Sequence, residues 1–238
     1  MDPRVSRLAA SLGPGVGVHV GPGSARTRRT RGTGIPGLDR LLPGGGYPVG
    51  RAVELLGPLA GGRGILALSA AAEQSRRGRV AWAAAEGVPD PWPFLRMGGE
   101  LGALSLVRIP RAERYVWAVE QVLRSGLFRL VVAQGTGPRS GRVLFNPAAW
   151  RRWSAAASQG DATFLLLLED VPALAAFAHP APLRLRVQQS PAGRLMIRVE
   201  RAAGHSPGAS VTLNLYQCAQ DSSCGADSLQ AVSDGGMT

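Results

Sequence analysis

A glycine-rich stretch between residues 57 and 64 has the spacing of a loop that binds phosphate groups. Functional loops of this kind follow the pattern G-x-x-x-x-G-K-S/T, in which backbone N–H groups surround the phosphates, the lysine contacts the outer phosphates and the hydroxyl group binds magnesium. Gly57 and Gly62 keep this spacing, but Arg63 replaces the lysine and Gly64 replaces the hydroxyl residue. The stretch therefore indicates either a degenerate nucleotide loop or an ordinary turn between a strand and a helix.

Both replacements weaken the chemistry of the loop. An arginine side chain ends in a broad planar fork, whereas lysine ends in a compact ammonium group that fits within a closed loop. Gly64 offers no side-chain oxygen to a metal ion. The backbone N–H groups of residues 60–63 remain, and at a helix N-terminus they can still hold an anion. Nucleotide binding without hydrolysis therefore stays open.

Apolar segments on both sides of the loop predict the elements that hold it. A continuous apolar run is typical of a parallel strand with both faces buried, and apolar residues spaced three and four apart indicate a helix. These patterns predict an α/β fold with a mostly parallel central sheet flanked by helices. The predicted strands are 52–56, 80–85, 104–109, 128–133 and 163–168, and the predicted helices are 65–77, 112–125 and 147–159, the last capped by Asn146.

After residue 179 the pattern changes to alternating apolar and polar residues, which is typical of antiparallel strands with one exposed face. We expect strands over 183–187, 194–200 and 210–215, which extend the sheet. Arginines fall largely on the exposed side of this extension, where they either face solvent or contact DNA. They are Arg184, Arg186, Arg194, Arg198 and Arg201.

The charge of the chain favours a polyanionic partner. The 238 residues carry a formal net charge of +11, and arginine supplies all of the cations because lysine is absent. Such a chain attracts nucleic acid through counterion release, although an acidic protein is the other candidate. Residues 1–31 are predicted to form a flexible basic arm, and its candidate DNA-binding residues are Arg26, Arg28, Arg29 and Arg31.

Other classes of function find little support in the sequence. Because no run of 18 apolar residues and no signal-peptide segment occurs, we expect a cytoplasmic protein without membrane partners. Cys218 and Cys224 lie in a polar tail, 217–238, which is expected to be disordered, and they lack the spacing of metal ligands. We therefore predict no metal site and no cofactor.

Three segments, in their order along the chain, resemble RecA-like ATPases. TGIPGLDRL at 33–41 and GGGYPVGRAVELLGP at 44–58 are similar to the segments that lead into the nucleotide loop of that superfamily. WAAAEGVPDP at 82–91 is similar to the strand that ends in its water-activating glutamate, and Glu86 occupies that place. The resemblance implies a RecA-like core domain over 32–216.

One helix narrows the resemblance. WAVEQVLRSG at 117–126 is similar to a characteristic helix of the ImuA group, RecA-like proteins encoded in bacterial DNA-damage mutagenesis cassettes. The resemblance implies two partners from the cassette, the inactive Y-family polymerase-like protein of ImuB type and the error-prone DNA polymerase. RecA is a further candidate partner.

The departures from RecA predict the loss of ATP hydrolysis. The strand that should end in a magnesium-orienting acid, the Walker B acid, runs instead into Ala133 and Gln134. The loop lysine, the hydroxyl ligand and this acid are thus absent together. Because phosphoryl transfer depends on positioning and charge neutralisation, we expect no turnover, even though Glu86 is retained.

The resemblance also locates candidate DNA contacts. Two loops of RecA contact DNA, and the first corresponds to 135–146, where Arg139 and Arg142 keep a suitable charge. The second corresponds to 170–180, which is short and carries no arginine.

The predicted helix after the first loop adds further candidates. Arg151 and Arg152 lie beside Trp150 and Trp153, whose indoles either stack on unpaired bases or pack in the core. The better expectation for at least one indole is the core.

These features predict a non-catalytic RecA-like accessory protein of the bacterial DNA-damage (SOS) response. It would bind single-stranded or duplex DNA and act in translesion mutagenesis or modulate RecA-mediated recombination. Two alternatives stay open. A divergent ATPase would use Arg63 and Glu86 by an unfamiliar route, and a protein-binding scaffold would contact acidic partners rather than DNA.

Overall fold

A continuous eight-stranded sheet organises the chain, and a two-stranded ribbon precedes it. The computed structural model describes residues 29–58, 61–85, 87, 89–134, 147–169, 181–190, 193–203 and 208–214. The strands are β1 (Thr30–Arg31), β2 (Tyr47–Pro48), β3 (Ala52–Leu56), β4 (Val80–Ala84), β5 (Leu104–Arg108), β6 (Leu130–Gln134), β7 (Thr163–Leu168), β8 (Leu183–Gln189), β9 (Arg194–Ala202) and β10 (Ser210–Asn214). The helices are α1 (Pro36–Leu41), α2 (Arg63–Ser75), α3 (Pro91–Arg96), α4 (Ala112–Arg124) and α5 (Pro147–Gln159).

The order of strands in the large sheet is β10-β9-β8-β3-β7-β6-β4-β5. The strands from β8 to β5 pair in parallel, and β9 and β10 continue the sheet by antiparallel pairing. The predicted α/β fold, with its mostly parallel sheet and C-terminal antiparallel extension, is confirmed. The continuous apolar runs of β4 and β7 are buried along their whole length, as strands covered on both faces require.

Helices cover the two faces of the sheet unequally. The residues of α1, α2 and α3 join one core that reaches from β4 across to β10. Helices α4 and α5 pack over the parallel strands on the other face, where Trp153 meets Tyr115 and Phe164 edge to face, with ring centroids 6.4 and 5.7 Å apart. No described residue of β8, β9 or β10 belongs to this second core. The second face of the antiparallel extension is therefore not part of either core.

Two short helices are absent from the sequence prediction. Both α1 and α3 have six residues and begin with a proline, Pro36 and Pro91, whose fixed φ suits the first helical position. The Asp90 carboxylate caps α3 by accepting a hydrogen bond from Trp92 N at 3.0 Å. A six-residue helix is too short to show apolar periodicity, so its local signals are the N-terminal proline and, in α3, the capping Asp90.

Candidate functional site

The glycine-rich loop lies at the carboxyl end of β3, where the chain turns into α2. In parallel α/β sheets ligands bind beyond this edge, because the loops after neighbouring strands meet there. Strand β3 pairs with β7 on one side and with β8 on the other. The ends of β7 and the β8–β9 hairpin therefore form the immediate surroundings of the loop.

The Arg63 guanidinium lies between the loop and the end of β7. Its side chain is 2 % exposed, and Nη1 donates a hydrogen bond to the Gly57 carbonyl at 2.6 Å. Its Nη2 lies 3.7 Å from Glu169 Oε1, just after the end of β7. Burial lowers the pKa of Arg63, and the Glu169 carboxylate partly offsets that shift. The cation at the lysine position thus links the first glycine of the loop to the end of β7.

The glycines of the loop are in close contact with the antiparallel extension. Gly62 has a left-handed φ of 89°, and the Leu195 side chain of β9 occupies the space where a Cβ would lie, with Cδ1 2.0 Å from that position. A Cβ on Gly57 would lie 2.4 Å from the Val187 carbonyl oxygen of β8. A side chain at residue 57 would force the β8 backbone to shift, and one at residue 62 would be strained by the left-handed φ and would displace Leu195. Strands β8 and β9 thus cover the loop from one side.

Residues 64 and 134 stand where a working site would carry its magnesium-binding hydroxyl group and acid, and they make different contacts. Gly64 is open, since a Cβ there would meet no atom within 4 Å. Gln134, at the end of β6, accepts a hydrogen bond from the Trp82 indole, with 3.2 Å between Nε1 and Oε1. Glu86 lies outside the described residues, and so does Ala60. Among the residues that the structure describes, no group of three or more His, Cys, Asp or Glu side chains is placed to hold a metal ion.

The two described candidate arginines of the N-terminal arm differ in exposure and in their contacts. Arg29 is exposed and forms an ion pair with Asp161. The Arg31 guanidinium is largely buried and donates to the Arg129 carbonyl, to the Asp161 carbonyl at 2.9 Å and to Thr163 Oγ1 at 3.4 Å. Burial is the main cause of a lowered Arg31 pKa. Arg31 therefore ties the β1–β2 ribbon to the starts of β6 and β7.

Arg26, Arg28, Arg139 and Arg142 lie outside the described residues. Their role in DNA contact stays a prediction.

The tryptophans next to the exposed arginines of α5 are not accessible. Arg151 and Arg152 are exposed, and Arg152 forms an ion pair with the buried Glu120 carboxylate, which also pairs with Arg124. Trp150 and Trp153 are both buried, and Trp153 Nε1 donates to the Val116 carbonyl at 2.9 Å. The alternative that these indoles stack on unpaired bases is wrong for both, because both are buried in the second core.

A buried ion pair between β3 and β8 is missing from the sequence prediction. Glu54 is fully buried, and Arg184 Nε donates to its Oε2 at 2.5 Å across the parallel pair. Burial raises the pKa of Glu54, and Arg184 opposes that shift. In the sequence, the only sign of this ion pair is one acidic residue inside an apolar strand. A buried acid requires a partner, but the sequence does not show which residue supplies it.

Arg201 is half-buried on β9, and the other four arginines of the antiparallel extension divide into two groups. Arg184 and Arg186 are half-buried and pair with Glu54 and Glu200. Arg194 and Arg198 are exposed on β9, as the alternating pattern predicts.

Comparison with known proteins assigns the relationship. The RecA N-terminal domain family model matches residues 2–138. The RecA proteins of Staphylococcus aureus strains JH9 and Newman are each 34 % identical to the chain over 133 residues, which is 56 % of this chain and 38 % of theirs. The matched region thus spans well under half the length of these relatives.

A solved structure has the same fold. The crystal structure of the RadB recombinase superposes with a TM-score of 0.64 at 19 % identity, over 77 % of this chain and 94 % of that one. At this identity the likeness is one of fold. No helix among the described residues has the length and apolar character needed to cross a membrane.

Proposed function

The chain belongs to the RecA N-terminal domain family, and from that membership we propose that it is a RecA-like accessory protein of DNA repair and recombination that contacts DNA and does not hydrolyse ATP. The buried position of Arg63 is the observation that carries this proposal. Its guanidinium is bonded to the Gly57 carbonyl and faces Glu169 instead of a free phosphate niche.

The chemistry of phosphoryl transfer supports the absence of turnover. The reaction needs a cation on the outer phosphates, a hydroxyl and an acid that hold magnesium, and a positioned water. The cation at residue 63 is engaged by the protein itself, Gly64 supplies no oxygen, and Gln134 is a neutral amide bonded to Trp82. Each of these three departures removes charge stabilisation from the same transition state.

The resemblance of residues 117–126 to the ImuA group supports a more specific cellular role. We propose a role in the bacterial SOS response, in translesion mutagenesis or in modulation of RecA. The partners would be the ImuB-type polymerase-like protein and the error-prone polymerase of the cassette. Large exposed apolar side chains favour such protein partners, and those on α3, β5 and the turn between them are Trp92, Leu95, Leu101 and Leu106.

A nucleotide-binding assay tests the role of the loop. We expect the wild-type chain neither to bind a fluorescent ATP analogue nor to release phosphate from ATP. Arg63→Lys with Gly64→Thr restores the two loop functions, and the open space at residue 64 accommodates the new side chain, so this variant should gain magnesium-dependent binding. It should still lack turnover, because Gln134 remains.

Two controls make the assay decisive. Gly64→Thr alone should not bind the ATP analogue, since Arg63 still donates to the Gly57 carbonyl. ATP turnover by the wild-type chain that disappears in Glu86→Gln would instead establish a divergent ATPase.

The cellular role has a separate test. Excess protein added to a RecA strand-exchange reaction should slow it, and an unchanged rate would contradict the proposed modulation of RecA. Pull-down with the ImuB-type protein tests the cassette partner directly.

A further inference from the structure

The second face of the antiparallel extension is a polar and exposed surface. On β9 every second residue from Leu195 to Val199 is buried in the first core, and the residues between them point away from it. Paired residues of neighbouring antiparallel strands share a face. We call this surface the β9 face and define it by Gln188, Arg194, Met196, Arg198 and Thr212.

The registers arrange these side chains in rows across three strands. Met196 lies opposite Gln188 of β8 and Thr212 of β10, while Arg198 lies opposite Arg186. Met196 is 43 % exposed and stands between the two arginines of β9. Arg198 lies four positions after Arg194 along β9, which places their Cα atoms about 13 Å apart.

Charge accumulates at the outer part of this face. Towards the centre of the sheet the cations are neutralised, because Arg184 and Arg186 pair with Glu54 and Glu200. Neither Arg194 nor Arg198 has an ion pair with any described carboxylate. Guanidinium groups of this kind bind phosphate oxygens through two parallel N–H donors.

We propose that the β9 face binds single-stranded DNA, with Arg194 and Arg198 on phosphates and Met196 and Gln188 against the bases. This rests on the proposed function, in that the chain contacts DNA. The face of an eight-stranded sheet is too broad to enter a groove of a duplex, so it meets only the phosphates there, because base readout requires an element that enters a groove. A single strand offers phosphates and unstacked bases to the same surface, and methionine adapts to either.

Fluorescence anisotropy of a labelled oligo-dT, measured over a salt series with the full chain, tests this surface. Each phosphate contact to a single strand contributes about 0.7 to the slope of log affinity against log salt, so Arg194→Ala with Arg198→Ala should lower the slope by about 1.4. We expect the affinity at low salt to fall about tenfold. Arg194→Lys with Arg198→Lys keeps both charges and should retain most of the slope.

The matched control removes the same charge at the other end of the sheet. Arg108, on the edge strand β5, and Arg111 are both exposed, and Arg108→Ala with Arg111→Ala should leave the slope nearly unchanged. Equal losses in the two double variants would mean that only net charge matters, which overturns the β9 face. Circular dichroism of each variant confirms that it is folded.

The remaining outcomes separate the two proposals. Binding by the wild-type chain that ignores the β9 substitutions would overturn this surface and leave DNA contact intact. Tighter binding of duplex than of oligo-dT, with the same loss in the β9 variant, would overturn the choice of single strand. No binding of the wild-type chain at low salt would overturn both proposals.

Discussion

The arginine of the glycine-rich loop and the arginines of β9 carry the same charge in opposite surroundings. Arg63 is buried, bonded to a backbone carbonyl and faced by Glu169, whereas Arg194 and Arg198 point away from the core. A formal charge of +11 therefore says little about which cations are available to a partner. The fold uses some of them internally, and each use can be tested by removing one guanidinium.

The largest effect is expected where an arginine neutralises a fully buried acid. Arg184→Met leaves the Glu54 carboxylate buried without its partner, which should lower the free energy of unfolding by about 3–5 kcal/mol near neutral pH. Urea denaturation measures this loss. The double variant Glu54→Leu with Arg184→Met removes both charges and should recover most of it.

The pH dependence of the Arg184→Met effect sharpens this prediction. Burial raises the folded-state pKa of Glu54 above its unfolded value, so the stability linked to its protonation is present at low pH and is lost as the pH rises through the folded pKa. Removing Arg184 raises that pKa further. The destabilisation should therefore be smaller at about pH 4 than at about pH 8, and a loss independent of pH would assign the effect to packing instead.

An intermediate effect is expected where the loop contacts β8. Gly57→Ala places a Cβ 2.4 Å from the Val187 carbonyl oxygen, so β8 has to shift, at a cost of about 2–3 kcal/mol. Gly64→Ala adds the same methyl group in open space early in α2, where it should be neutral or stabilise by about 0.5–1 kcal/mol. Thermal denaturation of the pair measures the difference, and equal melting temperatures would show that the loop is not held by β8.

The smallest effect is expected at exposed arginines. Arg29 is 73 % exposed, so Arg29→Ala should change the free energy of unfolding by less than about 1 kcal/mol despite its ion pair with Asp161. Arg31→Ala removes the donor of three hydrogen bonds and should cost about 1–3 kcal/mol. Similar losses in the two variants, measured by urea denaturation, would contradict the distinction between buried and exposed cations.

The sequence predicts the framework of this molecule well for a physical reason. Continuous apolar runs specify buried parallel strands, and strict alternation specifies the half-exposed strands β8 to β10. Both patterns are local, so they can be read without knowing which strands become neighbours. The glycine spacing of the loop is likewise a local signal. Helices α1 and α3 are too short to carry a period and are not predicted.

The sequence does not predict which way individual side chains point, because that direction depends on the packing of distant segments. Arg63 finds Glu169 only because β3 and β7 become neighbours in the sheet. Arg31 is buried only because the ribbon docks on the starts of β6 and β7. Periodicity likewise leaves open that Trp150 and Trp153 both face the core. Each of these contacts joins segments that are distant along the chain.

The position of β3 in the sheet also sets the timing of folding during synthesis. Both of its neighbours, β7 and β8, are made more than a hundred residues after it. A growing chain that ends before residue 163 has an apolar strand with no partner on either side. Sheets closed by such distant pairings fold slowly, and their unpaired strands are open to association with other chains. The central strand of the nascent protein therefore stays unpaired until β7 and β8 have left the ribosome.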